Sequence, residues 1–405
     1  MPTKNKSALV FILVTVLIDV IGIGIIIPIL PSLYQELTGG TVSEASRYSA
    51  YLVLMYSVIQ FVFSPIIGGL SDQFGRRPVL LISLFGFAVD YLFLAMAPTI
   101  GWLFVGRAIS GITGASFATA NAYIADVTEP DKRAQSFGLL GAAFGIGFII
   151  GPTLGGFLGQ YGNRIPFVVS AVLAAINWLY GYFILPESLA PENRRKFDFK
   201  RANPIGSLLN FKKYPFILTL VASLFLVNVS NFATQGTWSF YGAEKFKWSQ
   251  ADIGYSLGFV GIMVAIVQGG LIRVLIPKLG QERALYVGLA VNAAGLLAFA
   301  FASSTWMMYA IMVPFAIGGM AGPAFQGIIS NQVQQDGQGE LQGGLTSLMS
   351  IAAIVGQPLM LGLFRTFTKD DAPIYFPGAP FLLGSVLSLM SLFLVIRTIN
   401  KEKTR

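Results

Sequence analysis

The 405-residue sequence contains no cysteine and no histidine. The first absence removes disulfides, thiolate metal sites and a cysteine nucleophile. The second removes the commonest proton shuttle and metal ligand. Proton chemistry in this chain therefore falls to carboxylates. Charge is also scarce: 11% of residues are charged, against roughly 25% in soluble domains. Apolar residues fill the space, at 54% of the chain, with 33 Phe and 45 Gly and a mean hydropathy of +0.68. Glycine lets membrane helices approach closely, and the whole composition is that of a membrane protein. The formal net charge of +8 fits positive loops retained on the inner side of a membrane. It does not imply nucleic-acid binding, because no basic, aromatic-interleaved domain is present. An enzyme is not expected either: there is no phosphate-cradling loop beside a strand and no extramembrane domain to house a site. No metal site and no cofactor is expected.

The amino terminus, "MPTKNKSALVFILVTVLIDV", combines a basic start with an apolar run. The run continues to about Leu30 without a small-residue cleavage site, so it predicts a retained first helix rather than a signal peptide. A membrane-spanning helix needs roughly 20 mostly apolar residues. Twelve such runs lie near 8–30, 48–70, 78–97, 101–124, 134–158, 165–185, 215–240, 252–276, 284–302, 306–330, 341–365 and 379–398. The one long polar segment, 186–214, divides the chain into a first six-span bundle (1–185), a linker and a second six-span bundle (215–405). With both termini on the cytoplasmic side, 20 of the Lys and Arg residues fall inside and 6 outside, with Arg107 within a span. That bias sets the expected orientation.

The halves also look like repeats. "FGRRPVLLISLFG" (74–86) opens span three and "LGQERALYVGLAV" (279–291) opens span nine, about half the chain later. Two six-helix halves related in this way are a transporter plan, with the site at their interface near the bilayer midplane. The expected fold is thus an all-α membrane protein of twelve transmembrane helices in two six-helix halves.

The stretch "GGLSDQFGRRP" (68–78) places Asp72, Arg76 and Arg77 among glycines between two apolar spans. The spacing predicts a turn of two to three residues, with Gly75 permitting the tight reversal and Asp72 near enough to pair with Arg76. A simple retention loop would explain Arg76 and Arg77 but not Asp72 or the glycines. "YIADVTEPDKR" ends span four on the same side and brings Asp126 within reach of Arg76. Asp72 is further expected at the amino-terminal end of span eleven, near Gln342 and Gly343, where partial positive charge favours a carboxylate.

Within the predicted hydrocarbon the charges are Asp19, Asp90 and Arg107. Each costs about 2.5–3.5 kcal/mol on insertion scales, so such residues face a cavity and mark function. A self-neutralising structural pair is the competing reading, but two acids and one arginine leave one carboxylate over. Asp19, near the middle of span one, is the first candidate for the proton-binding group, with Arg107 as its neighbour. Asp90 is the second candidate, or a contact for a cationic or metal-chelated substrate. In span seven, Asn228, Asn231 and Gln235 share one helical face. With Asn292, Gln326 and Gln357 they either bond helix to helix or line an uncharged polar side of a cavity. Phe232 and Trp238 beside them would suit a flat, amphipathic ligand.

Gly68, Leu70, Asp72, Gly75, Arg76 and Arg77 match the loop motif G-x-L-x-D-x-x-G-R-R, which resembles that of the major facilitator superfamily. A second similarity is "LFVGRAISGITGA" (103–115), with Arg107 inside the membrane. A third is "GLLGAAFGIGFIIGPTLGG" (138–156), whose Gly138, Gly147, Gly151, Pro152, Gly155 and Gly156 resemble the glycine pattern of the superfamily's antiporters. The chain resembles the drug:proton antiporters and, within them, the tetracycline-efflux branch. The stretches that carry this are "LIDVIGIGIIIPILP", "GRRPVLLISLFGFAVDY" and "GRAISGITGASFATANAYIADVT". Two positions depart from that branch: Asn292 stands where it has an acidic residue, and Val264 where it has a histidine.

The resemblance implies a proton-coupled efflux antiporter of the bacterial inner membrane, carrying a small amphipathic substrate as a monomer by alternating access. It does not imply tetracycline itself as the cargo. Gly68, Asp72, Gly75, Arg76, Arg77 and Asp126 would form a conformational gate. Two other readings stand beside it: a proton-coupled or passive carrier of another small molecule, and a non-transporting membrane sensor on a carrier scaffold.

Overall fold

A computed structural model describes residues 2–114, 116–128, 133–194, 196–197, 215–330 and 338–403. The linker expected at 186–214 therefore lies largely outside the described residues. Among those described there is no strand. The helices are α1 (Pro2–Ile26), α2 (Leu30–Thr38), α3 (Val42–Phe74), α4 (Arg76–Met96), α5 (Ile100–Thr113), α6 (Ser116–Val127), α7 (Arg133–Gly159) and α8 (Ile165–Ile184). They continue with α9 (Pro215–Lys245), α10 (Gln250–Ile266), α11 (Ile272–Leu279), α12 (Gln281–Phe301), α13 (Thr305–Ile317), α14 (Ala321–Ser330), α15 (Gln338–Thr366) and α16 (Ala379–Lys403). Among the described residues ten stretches are long and apolar enough to cross a membrane, which makes this a multi-pass membrane protein.

Spans four and eight are each built from shorter pieces. Span four is described as α5 and α6 on either side of Gly114, whose φ of −63° and ψ of −8° stay in the right-handed helical region. Gln60 Nε2 donates to the Gly114 carbonyl oxygen at 3.2 Å. Span eight consists of α10 and α11 joined by a π-helical segment, Val267–Leu271, which contains a Gly-Gly pair. Span one is bent as well: a 3-10 turn at Ile27–Ile29 separates α1 from α2, where Pro28 and Pro31 cannot donate backbone hydrogen bonds.

The turn between α3 and α4 is shorter than the sequence suggests. Helix α3 runs on through Phe74 and α4 starts at Arg76, so Gly75 alone makes the reversal. Its φ of 103° and ψ of 161° lie in a region that only glycine adopts without strain. Gly280 opens α12 in nearly the same conformation, φ 78° and ψ 158°. The repeat read from the sequence is thus repeated in the backbone.

The chain divides into two compact units. The first takes Met1–Gly39, Met55–Asn203 and Ser249–Gly261; the second takes Gly40–Leu54, Pro204–Trp248 and Ile262–Arg405. Helices α3 and α10 thereby contribute to both. In the first unit α1 packs against α7 and α8, around Phe11, Ile12, Val16, Val20, Tyr123 and Ile124. The α1–α7 contact depends on missing side chains. A Cβ added at Gly151 would lie 2.8 Å from the Gly24 Cα, and one at Gly155 would run into the Ile25 carbonyl. The backbones can approach this closely only because α7 carries glycine at these positions, facing Gly24 in one case and Ile25 in the other. In the second unit α9, α12, α15 and α16 enclose a core that includes Leu220, Leu285, Leu289, Phe325 and Val395.

Candidate functional site

Inside the first unit the three intramembrane charges divide into a pair and a single. Asp90 on α4 is 1% exposed, and its Oδ2 stands 3.3 Å from Arg107 Nη2 on α5. Glycine at the preceding position admits the carboxylate: a Cβ on Gly106 would lie 2.7 Å from Asp90 Oδ1. The contact is an ion pair without an aligned hydrogen bond, and neither Asp90 Oδ1 nor Arg107 Nη2 has a hydrogen-bond partner. Tyr34, Tyr56 and Tyr91 stand within electrostatic range of both charges.

Asp19 is buried on α1 and, among the described residues, has no cation beside it. Its Oδ1 accepts a hydrogen bond from Asn177 Nδ2 on α8 at 3.0 Å, and the same nitrogen donates to the Thr15 carbonyl oxygen at 3.1 Å. Ser170, two turns earlier on the same face of α8, donates to the Gly22 carbonyl oxygen. Arg107, read from the sequence as a neighbour of Asp19, instead faces Asp90. Tyr91 stands between the two carboxylates, with Gly22 of α1 leaving room for its hydroxyl.

At the loop end of the same unit the charges form one connected cluster. Arg76 bonds Asp72 one turn before it, Asp126 at 3.2 Å and the Ser71 hydroxyl at 2.6 Å. Ser188 Oγ donates to the same Asp126 oxygen, Oδ2, at 3.1 Å. Arg77 turns the other way and donates to the Tyr182 and Leu185 carbonyl oxygens, both at 2.8 Å, at the carboxyl end of α8. A cation is favourable there, as an anion is at a helix amino terminus. Glu187 supplies that anion: it accepts from the Arg76 amide at 2.8 Å and the Arg77 amide at 3.3 Å, and so caps α4. An added Cβ at Gly68 would meet no atom within 4 Å, so close packing does not explain that glycine. Gln342 and Gly343, expected opposite Asp72, fall outside the described side chains.

The glycine run in α7 serves two neighbours. Gly147, Gly151 and Gly155 face α1, with Pro152 against Gly24, whereas Gly156 faces Gln250 and Gly254 of α10. The surroundings of Gly138 lie outside the described residues.

The amides of the second unit do not form a single set. Asn292 Nδ2 approaches Asn231 Oδ1 at 3.4 Å, and Ser388 Oγ donates to Asn292 Oδ1 at 2.9 Å. These contacts tie α9, α12 and α16 together. Asn228 bonds back to the Leu224 carbonyl oxygen of its own helix at 2.9 Å. Gln235 and Gln326 are exposed. Gln357 places a buried Oε1 without a partner. Trp238 is 5% exposed and packs edge-on against Phe299 and Phe381, so it belongs to an aromatic core rather than to a cavity wall. Phe232 lies against Gly356.

The sequence reading passed over two residues of these clusters. Asn177 is an isolated amide in an apolar span and could have been singled out on the same ground as Asn228 or Asn292. Glu187 follows the sixth span directly, within the polar segment, and nothing local marks it as a helix cap.

Comparison with known proteins places these features in a family. The description "Major Facilitator Superfamily" matches residues 12–357. The tetracycline resistance protein of class C from Escherichia coli is 37% identical, over 96% of this chain and 96% of that protein. The class E protein from Escherichia coli is 36% identical over the same shares. Among solved structures, a human organic anion transporter superposes with a TM-score of 0.72 at 22% identity, covering 96% of this chain and 99% of that one.

Proposed function

Because the chain belongs to the major facilitator superfamily, and is therefore a membrane transporter and not an enzyme, we propose that it is a proton-coupled efflux antiporter working by alternating access. One observation carries the reading: Arg107 neutralises Asp90, whereas Asp19, also buried, has only the Asn177 amide beside it among the described residues. Lipid disfavours an unpaired carboxylate in its charged form. Asp19 can relieve that cost by taking up a proton, and in the absence of histidine it is the group best placed to do so. Asp90 and Arg107 keep hydrogen-bonding capacity that a cargo can use, and three tyrosines around them offer flat apolar faces with polar tips. The relatives named above are tetracycline resistance proteins, and the cargo proposed here is a flat, amphipathic small molecule of that general kind.

The Asp72–Arg76–Asp126 cluster acts as the gate, and binding of a proton at Asp19 has to loosen it before the carrier turns. Both termini lie on the cytoplasmic side of the bacterial inner membrane, in keeping with the distribution of Lys and Arg, and the protein works as a monomer. The test combines two measurements. Cells expressing the chain are screened for growth against a panel of amphipathic antibiotics that includes tetracycline. The compounds that score are then added to vesicles holding the purified protein. Proton movement opposite to substrate movement is expected. Substrate movement without proton movement makes the protein a passive carrier, and movement of neither makes it a sensor.

A further inference from the structure

We infer that Asn177 is the positioning residue for the transported proton: its amide oxygen waits for the hydrogen that a protonated Asp19 donates. The inference rests on the proton-coupled reading above. Asn177 is fully buried and both hydrogens of its Nδ2 are engaged, one by the Thr15 carbonyl oxygen and one by Asp19 Oδ1. Thr15 fixes the orientation of the amide, because a backbone carbonyl only accepts and the nitrogen must face it. The amide oxygen is left over. It is buried and has no donor among the described residues, a condition that native interiors generally avoid.

Among the described residues the neighbours of Asp19 do not supply the missing donor. Helix α7 presents Gly147, Gly151 and Gly155 to α1, and α8 presents Ser170 and Asn177, of which Ser170 is bonded to Gly22. The titratable group within electrostatic range is Tyr91 of α4. On α6, the Tyr123 hydroxyl donates to the Pro186 carbonyl oxygen and Asp126 pairs with Arg76. Arg107 is engaged with Asp90. Tyr180 of α8 stacks on Phe11. The Thr15 hydroxyl, one turn from Asp19, is itself buried and without a partner.

A carboxylate only accepts hydrogen bonds, whereas a carboxylic acid carries one donor. When a proton joins an oxygen of Asp19, one O–H bond forms, and its hydrogen turns to Asn177 Oδ1. The amide then both gives to and takes from the acid, and every polar atom of the pair is satisfied. Release breaks the same O–H bond and returns the proton to water, with no other group changed. The site is complete only when Asp19 is neutral. The amide thereby holds the proton and links α8 to the protonation state of α1.

Infrared difference spectra of the full-length protein in lipid, taken between acidic and alkaline buffer, test this directly. Wild type should show a protonated-carboxyl band that disappears in Asp19→Asn. In Asn177→Leu that band should move to higher wavenumber, because the acid has lost its acceptor. A second measurement needs no change at Asn177. In wild type labelled with carbon-13 at the asparagine side-chain carbonyl, the amide band should fall in wavenumber over the same pH range, and this response should vanish in Asp19→Asn. The inference is overturned by a band that stays in place in folded Asn177→Leu, or by an amide band that ignores pH, as when a buried water serves the amide oxygen in both states. If Asp19→Asn removes no band at all, the proton-coupled reading itself falls at Asp19, and this inference falls with it.

Discussion

The two units bury different chemistry. Among the described residues, the buried carboxylates Asp19 and Asp90 both lie in the first unit, and Arg107 stands beside one of them. The corresponding interior of the second unit is held by Asn231, Asn292 and Ser388, which are polar but uncharged. The backbone plan is shared nonetheless, down to the positive φ of Gly75 and Gly280 at the start of α4 and α12. The two units are therefore alike at this turn while their interiors differ. A charged interior can take up and release protons, whereas an amide interior can hold helices together and bind a ligand but cannot titrate. On the proposed function, ion coupling falls to the first unit.

The largest effect expected from breaking this comparison is at the buried pair. Arg107→Leu leaves Asp90 buried without its cation, and removing one partner of a buried pair costs about 3–5 kcal/mol. Thermal unfolding in detergent should show a marked loss of stability and transport should stop, whereas Arg107→Leu combined with Asp90→Leu should recover much of the stability. The same operation in the second unit is milder. Asn292→Leu removes interhelical hydrogen bonds worth about 0.6–1.7 kcal/mol in membranes. It should weaken substrate affinity while leaving the ratio of protons to substrate unchanged, as read from parallel fluxes in vesicles. The smallest effect on stability is expected at the loop. The Asp72 side chain is 46% exposed, so its pair with Arg76 contributes about 0–1 kcal/mol. A two-state carrier can still be biased by that much. Asp72→Asn should lower the transport rate without unfolding the protein, and distances between labels on the loop ends of α3 and α15 should shift. Intact transport with unchanged distances reduces the loop to a retention signal.

Much of the fold is legible along the chain because lipid imposes a one-dimensional rule: long apolar runs become helices. The π-helical segment in span eight is less so. The Gly-Gly pair in Val267–Leu271 is visible, but glycine is common throughout this chain and marks close packing as often as a change of helix. Asp19, Asp90, Arg107 and the Asp72–Arg76–Asp126 cluster stand out because charge between or within apolar spans is costly. The pairing is another matter. That Arg107 faces Asp90, and that Asp19 meets Asn177 far along the chain, follows from how α1, α4, α5 and α8 pack. Trp238 shows the same limit, since an aromatic residue next to amides suits a ligand site and a packed core equally well. Glu187 could be identified as a cap only once the amino terminus of α4 was found beside it.

The central claim is that Asp19 carries the coupled proton. The most direct measurement is substrate-dependent proton release from vesicles containing wild type or Asp19→Asn, with substrate binding followed in parallel. Wild type should release protons when substrate is added, and Asp19→Asn should bind substrate and release none. Proton release by Asp19→Asn at the wild-type level, with the same pH dependence, would contradict the account.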